Sequence, residues 1–494
     1  LAFFVSWRCL TMLGWCIALL ACQADATPIA NVTPIALQLP ATAQTPSATP
    51  NRAIAPTLAP SFATPAIVEL NVWMSDEFAP TTAAAGASAL ASQISSFQST
   101  YNNIRVMVSP KQATGKGSLT NLLLATYAVS LTQALPDVIA IDLRELPLIV
   151  KTLNLLPLSN EVSPTLQNDL YAFALQAGQV EGQLYALAFT ADVLHGVYVK
   201  IPITLTIPVT ITTIMTTTTP LTPTTGLTPT LSITATPALT VTTIMSPTIV
   251  TPTAPLMWST LLSSTVKYAF AAGGENNLVS DSLLAQYVAL GGRFTDARGK
   301  LTLERDILRA VLEFYRNGVA QGVFVSNLVN LKTHEDVWKM YQSGKATLVD
   351  VNARRYLLER ASLKDSEYVA LPTRSGNLVT ISYAWGYVVV TRESARRQAA
   401  LRFIEWMLAA DHNAGWNRAA SRVPTRRSAL LAWSNDPPYR EFMQRLLAVA
   451  VNRPATHNHE LFDTILQNAI NEVLLNNLSP DEAADKAVAA ISKQ

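Results

Sequence analysis

The chain has 494 residues, more than one ordinary hydrophobic core accommodates, so two lobes or domains joined by linkers are expected. Its 36 Lys and Arg nearly balance its 34 Asp and Glu, and the net charge of +2 argues against nucleic acid as a partner. All three cysteines, Cys9, Cys16 and Cys22, lie near the N-terminus, which excludes a disulfide, a cysteine-based metal site or a thiol nucleophile from the rest of the chain.

Residues 1–21 carry Arg8 and then an apolar run from Cys9 to Ala21, too short to span a bilayer and matching a signal-peptide core. Leu19-Leu20-Ala21-Cys22 looks like a bacterial lipobox, in which the small Ala21 suits the peptidase and Cys22 is acylated. A plain secretory signal with an incidental cysteine is the other reading. Acylation would anchor the chain firmly, since each buried methylene adds about 0.8 kcal/mol. Residues 22–65 are rich in Ala, Thr and Pro and almost free of charged and aromatic residues. Such a segment cannot bury enough surface to offset its ordering entropy, and is expected to be a disordered tether. At about 3.1 Å per residue it reaches on the order of 100 Å.

The folded body opens with a strand at Ile67–Trp73, followed by a helix with Leu90, Ile94, Phe97 and Tyr101 on one face. A strand at Ile104–Val108, a helical stretch from Leu122 to Leu135 and a buried strand at Pro136–Asp142 continue the alternation. That order is the pattern of a parallel sheet with crossovers. A tight turn at Glu181-Gly182 then leads to a short strand, a polar break at Thr190-Ala191-Asp192, and a second strand through Val197 and Val199. Two apolar runs interrupted by a carboxylate suggest a chain crossing between two bodies, with Asp192 at the seam.

Residues 201–255 are a Thr/Pro/Ile/Leu block without a single charge. The prolines forbid a central strand, and the uncharged apolar content is an aggregation hazard, so the block reads as a surface insertion. From Leu278 the chain is mainly helical. Thr302 is expected to cap a helix that carries Ile307, Val311 and Tyr315 on one face and stops at Gly318. Ser394 opens another amphipathic helix, and Ser479-Pro-Asp-Glu482 is a capping box with proline at the first helical position.

Gly182, Tyr185, Phe189, Asp192, Tyr198 and Lys200 together resemble the run that leads to the first interlobe hinge in the extracellular solute-binding proteins (family 1) of bacterial ABC importers. That group includes maltose-binding protein. Ala188 stands where the family has proline, and Val199 where it has asparagine. Leu153–Leu158, Met257–Leu262, Val337–Asp350, Val369–Pro372 and Trp416–Pro424 resemble further family segments in the family's order. The resemblance implies an α/β, two-lobed periplasmic-binding-protein-like fold of type II with multiple hinge crossovers, preceded by a signal peptide and a disordered tether. Lobe I would comprise 66–197 and 384–433. Lobe II would comprise 198–383, containing the insertion 201–255, and 434–494.

The chain offers little to a catalytic reading. Gly115-Lys-Gly-Ser118 lacks the upstream glycine of a phosphate-binding loop, and His457 and His459 have neither helix-face nor zincin spacing. There is no Gly-x-Ser-x-Gly elbow. No catalytic residue, cofactor or metal is assigned, and the chain is read as a non-enzyme. A carboxylate pair for glycoside hydrolysis forms in space, beyond the reach of spacing.

A ligand cleft needs a few fixed polar groups and some aromatic surface, which in α/β lobes gather at the carboxyl ends of strands. Glu77, Asp142 and Asp192 meet that test; each could equally be a helix cap or a solvated loop carboxylate. The resemblance adds Tyr198 from the hinge run, and Asn352 and Arg354 after the Ala346–Val349 strand, otherwise a surface turn. It also adds Trp385 as a stacking residue near the second hinge, otherwise core. Phe462 on a C-terminal helix is a further stacking candidate.

The resulting expectation is a monomeric substrate-binding lipoprotein of the cell envelope, facing the extracellular or periplasmic side. It would close on a sugar or oligosaccharide and pass it to ABC permease subunits, with no nucleic acid involved. A secreted carbohydrate-active hydrolase and a cell-surface sensory or adhesion protein stay open as alternatives, and so does a polyamine or other small polar solute as ligand.

Overall fold

The computed structural model describes residues 67–200 and 256–493, except 276–277, 297–299, 435 and 455–458, together with two short strands at Ile203–Leu205 and Ser246–Thr248. Cys22, the signal and tether segments and His457 lie outside the described residues. Within the insertion the two short strands pair antiparallel.

Strand β1 (Val68–Ser75) lies between β2 (Ile104–Lys111) and β3 (Val138–Asp142), all parallel. Alternate residues Leu70, Val72 and Met74 of β1 are buried, the period-2 signature of a sheet face. Helix α1 (Ala87–Thr100) buries Leu90, Ile94 and Phe97. The next helix is α2 (Leu119–Ala128), shorter than the sequence suggests. Ser118 caps it by accepting from Asn121 N, and Ser130 at φ 58° turns the chain out of helical conformation.

Strand β4 (Ala186–Val199) is the spine of the molecule: fourteen residues, thirteen of them buried. The chain enters it from a hairpin whose turn residues Glu181 and Gly182 both have positive φ, 49° and 76°, as a twist-matched two-residue turn demands. The polar break expected at Thr190–Asp192 is absent, because neighbours satisfy those side chains in place. Thr190 Oγ1 donates to Asn417 Oδ1 at 2.6 Å, and Asp192 Oδ1 accepts from Val193 N at 3.0 Å. The irregularity falls one residue earlier, at Phe189: consecutive Trp385 and Gly386 of the facing strand β8 (Thr380–Val389) pair with Thr190 and Ala188, so β4 carries the extra residue of a bulge.

Up to Val193, β4 pairs with β8; from Leu194 it pairs with β6 (Leu348–Asn352), and from Gly196 also with β7 (Ser366–Val369). Strand β8 makes a second crossing: Thr380–Ser382 pair with β9 (Ala450–Asn452), and Trp385–Val389 pair with β3. With β5 (Tyr268–Ala269) at the far edge, the order is β2-β1-β3-β8-β4-β6-β5. Lobe I is built on β1–β3 and lobe II on β5–β7, with β4 and β8 shared between them.

In lobe II, α3 (Asp281–Ala289) packs against β8, and α4 (Arg305–Ala320) packs against α3. Two expectations are corrected here. Thr302 does not cap α4; Glu304 occupies that position, and its carboxylate receives the Tyr287 hydroxyl and Arg293 N. Gly318 does not end the helix but lies inside it, against the ring of Phe324. Where the chain returns from the insertion, Trp258 stacks on Phe314 with centroids 4.2 Å apart and donates Nε1 to Gln286 Oε1 at 2.9 Å. The capping box at Ser479 forms as read. No helix among the described residues is long and apolar enough to cross a membrane.

Candidate ligand-binding cleft

Where β4 changes partner, four charged residues meet. Glu77 follows the end of β1 in lobe I, and its Oε2 accepts from Arg422 Nη2 at 2.7 Å. The same oxygen lies 3.5 Å from Nη1 of Arg354, which belongs to helix α5 (Ala353–Glu359) of lobe II. The backbone N of Arg354 donates to Asp192 Oδ1 at 3.1 Å. Burial pushes the Asp192 carboxyl above the ordinary aspartate value, against the pull of Arg422. Arg422 is only 2% exposed; its guanidinium lies 4.6 Å from the Phe78 ring and 4.7 Å from that of Trp385. Burial lowers its pKa to about 10, with Glu77 opposing. A carboxylate from lobe I is thus tied to a cation from lobe II directly over the hinge strand.

A second cluster surrounds Tyr383, at the crossing of β8. Its hydroxyl donates to Asp281 Oδ1, the first residue of α3, at 2.7 Å. Arg453 donates to the same oxygen at 2.5 Å, to Val279 O at 2.8 Å, and to Asp463. Burial and the charge of Asp281 raise the Tyr383 hydroxyl well above its usual pKa, so it stays a neutral donor. From lobe I, Arg144 lays its guanidinium 4.5 Å from the Tyr383 ring centroid, while Asp142 holds that cation through Nε and Nη2.

A cavity of about 560 Å³ opens beside this cluster, lined by Arg144 and Gln176 from lobe I, Arg293 and Phe294 from lobe II, and Tyr383 and Arg453 between them. A second cavity of about 310 Å³ shares Arg144, Tyr383 and Arg453 and adds Asp281, His334 and Asp463. Both have the size and mixed lining of small-molecule sites. Among the described residues no cluster of His, Cys, Asp and Glu is arranged to hold a metal ion.

Of the residues singled out from sequence, Glu77, Asp192, Arg354 and Trp385 come together at the hinge, and Asp142 sits behind Arg144 in the cleft wall. Asn352 is used as the cap of α5, accepting from Arg355 N at 3.2 Å. Tyr198 lies at the far end of β4, beside Glu367 of β7 and away from the hinge cluster. Phe462 is 1% exposed and packs edge-on against Phe294, one layer behind the cavity wall. Arg144, Arg293, Tyr383, Arg422 and Arg453 went unnoticed. Tyr383 adjoins the hinge motif around Trp385, and Arg422 falls within the Trp416–Pro424 segment; either could have been found there.

Residues 92–441 match the family of bacterial extracellular solute-binding proteins. The chain belongs to this family. Among solved structures, this solute-binding protein is similar to the cyclic alpha-maltosyl-1,6-maltose binding protein of Arthrobacter globiformis (TM-score 0.63, 15% identity, 86% of this chain and 98% of that one). It is also similar to the sugar-binding protein MalE of Xanthomonas citri (TM-score 0.61, 15% identity, 86% and 98%). A third similar structure is the GacH receptor of Streptomyces glaucescens, solved unliganded and with acarbose (TM-score 0.57, 14% identity, 86% and 98%). Among the curated proteins none matches this chain by sequence. At such identities the likeness is one of fold: the two-lobed α/β architecture of maltose-binding proteins, as the sequence motifs imply.

Proposed function

We infer that this solute-binding protein captures a sugar or oligosaccharide between its lobes, without chemical turnover, and delivers it to the permease of an ABC importer. The observation that carries this reading is the cavity walled by both lobes beside the two shared strands, β4 and β8. A ligand there touches both walls only when they approach, so its contacts favour the closed form and present it to a partner. The structural relatives that bind maltose-type sugars or acarbose lend the ligand class support. Acylation at Cys22 would hold the protein at the outer face of the membrane as a monomer, the tether giving it reach.

The test is a thermal-shift and calorimetry panel on the full chain with mono-, di- and oligosaccharides, and with polyamines and amino acids as controls. A saturable, dose-dependent rise in Tm with a saccharide, with the ligand recovered unchanged, is expected. Response to polyamines alone would discard the sugar; hydrolysis of the bound glycan would discard the transport reading.

A further inference from the structure

Three arginines line the 560 Å³ cavity, and among the described residues no aspartate or glutamate does. Their charges are not equally available. Arg453 is saturated by Asp281, Asp463, Val279 O and the Tyr383 hydroxyl, so it serves to fix Tyr383. Arg144 is matched by Asp142, which takes Nε and Nη2, while Nη1 has no hydrogen-bond partner among the described residues. Arg293, exposed at the opposite lip, enters no ion pair among the described residues; only its backbone groups are engaged. The remaining polar lining includes amides, Gln176, Gln179 and Asn452, alongside the rings of Tyr383 and Phe294.

This lining differs from one built for a neutral or cationic ligand. A polyamine needs carboxylates, and this wall presents guanidinium groups instead. A neutral sugar would satisfy the amides and rings but leave Arg293 without a counter-charge as the cleft closes around it, an unfavourable arrangement once water is expelled. A carboxylate on the sugar removes that cost and accepts charge-assisted hydrogen bonds from both lips. Of the three lining arginines only Arg293 has no carboxylate ion-paired to it among the described residues, so the lining offers one unpaired guanidinium to the single charge of a carboxylate.

We propose that the ligand is an acidic saccharide, a uronate-containing sugar or oligosaccharide whose carboxylate is held between Arg144 of lobe I and Arg293 of lobe II. The inference rests on the sugar-capture reading above and narrows it. Because the two guanidinium groups belong to different lobes, the carboxylate would be a closing contact, engaged by both only when the cleft shuts.

The experiment is calorimetry on the full chain with matched pairs that differ only at C6: oligomers of galacturonate, glucuronate and mannuronate, each against its neutral galactose, glucose or mannose counterpart, with glucose 6-phosphate added. One uronate is expected to bind at least about tenfold tighter than its neutral partner, the margin of one charge-assisted hydrogen bond. The margin should shrink as salt is raised. Arg293→Gln removes an exposed cation that supports nothing else, so it should fold normally and bring the paired affinities close together. Equal or tighter binding of the neutral members, tight binding of the phosphate alone, or an unchanged ratio in Arg293→Gln overturns the acidic ligand and leaves sugar capture standing. If no saccharide of either kind binds the folded protein, sugar capture itself fails.

Discussion

Asp350 lies on β6, beneath the strand end that presents Asn352 and Arg354, and has no exposed surface. It accepts a hydrogen bond from Tyr268 Oη at 2.7 Å, and burial raises its carboxyl from 3.8 to about 7. Between those two values the folded protein holds a proton that the unfolded chain has released. The stability from this group is therefore complete below about pH 4 and is lost as the pH rises to about 7. Three units correspond to on the order of 4 kcal/mol. His195, buried on β4 with its pKa lowered to about 4, works in the opposite sense, since the unfolded chain takes up its proton first as the pH falls. The two partly cancel in the wild type, so the informative quantity is a difference. Asp350→Asn keeps an acceptor for Tyr268 and removes the titration. Its stability relative to wild type, from urea melts, should rise steadily between pH 4 and pH 7. A constant difference across that range would mean that Asp350 is ionised in the folded protein.

Helix α4 shows a local rule being overridden by packing. Glycine inside a helix costs about 1 kcal/mol relative to alanine, so Gly318→Ala on propensity alone should stabilise. A Cβ at that position would fall 2.4 Å from a ring carbon of Phe324, which is itself locked among Phe270, Phe314 and Tyr315. Overpacking of this kind costs about 1–3 kcal/mol, so the variant should lose stability, by roughly 1 kcal/mol net, with a lower urea midpoint. A raised midpoint would show that the aromatic cluster can yield.

The same override explains what could be read from the sequence. The tight turn at Glu181-Gly182, the capping box at Ser479 and the strand that opens the folded body depend on residues a few positions apart, and all were legible. So was Asp192 at the crossing, although not the continuity of β4, whose polar residues are satisfied by Asn417 and Arg354 from distant segments. The clamp of Arg422 on Glu77 spans 345 residues, and that of Arg453 on Asp281 spans 172. Spacing carries no information about such pairs; only the fold brings them together.

At the scale of the whole molecule, the two arms of Glu77 have different weights. Its bond to Arg422 stays within lobe I and involves a cation that is 2% exposed on its side chain; breaking it would strand that charge. The arm to Arg354 crosses between lobes at 3.5 Å, with both side chains about one-third exposed, which limits it to about 1 kcal/mol or less. Arg354→Ala separates the two, because it removes the crossing arm and keeps the backbone N–H that Asp192 accepts. If that arm helps hold the lobes together, the ligand-free variant should be more open, with a larger radius of gyration in solution scattering. Its ligand affinity should fall by no more than about fivefold, and its melting temperature should be nearly unchanged. A loss beyond tenfold with an unchanged radius would place Arg354 on the ligand instead of on the latch. Glu77→Gln, by contrast, should lower global stability by several kcal/mol, because the cation it leaves behind is buried against Phe78 and Trp385, with Asp192 the one carboxylate left acting on it among the described residues.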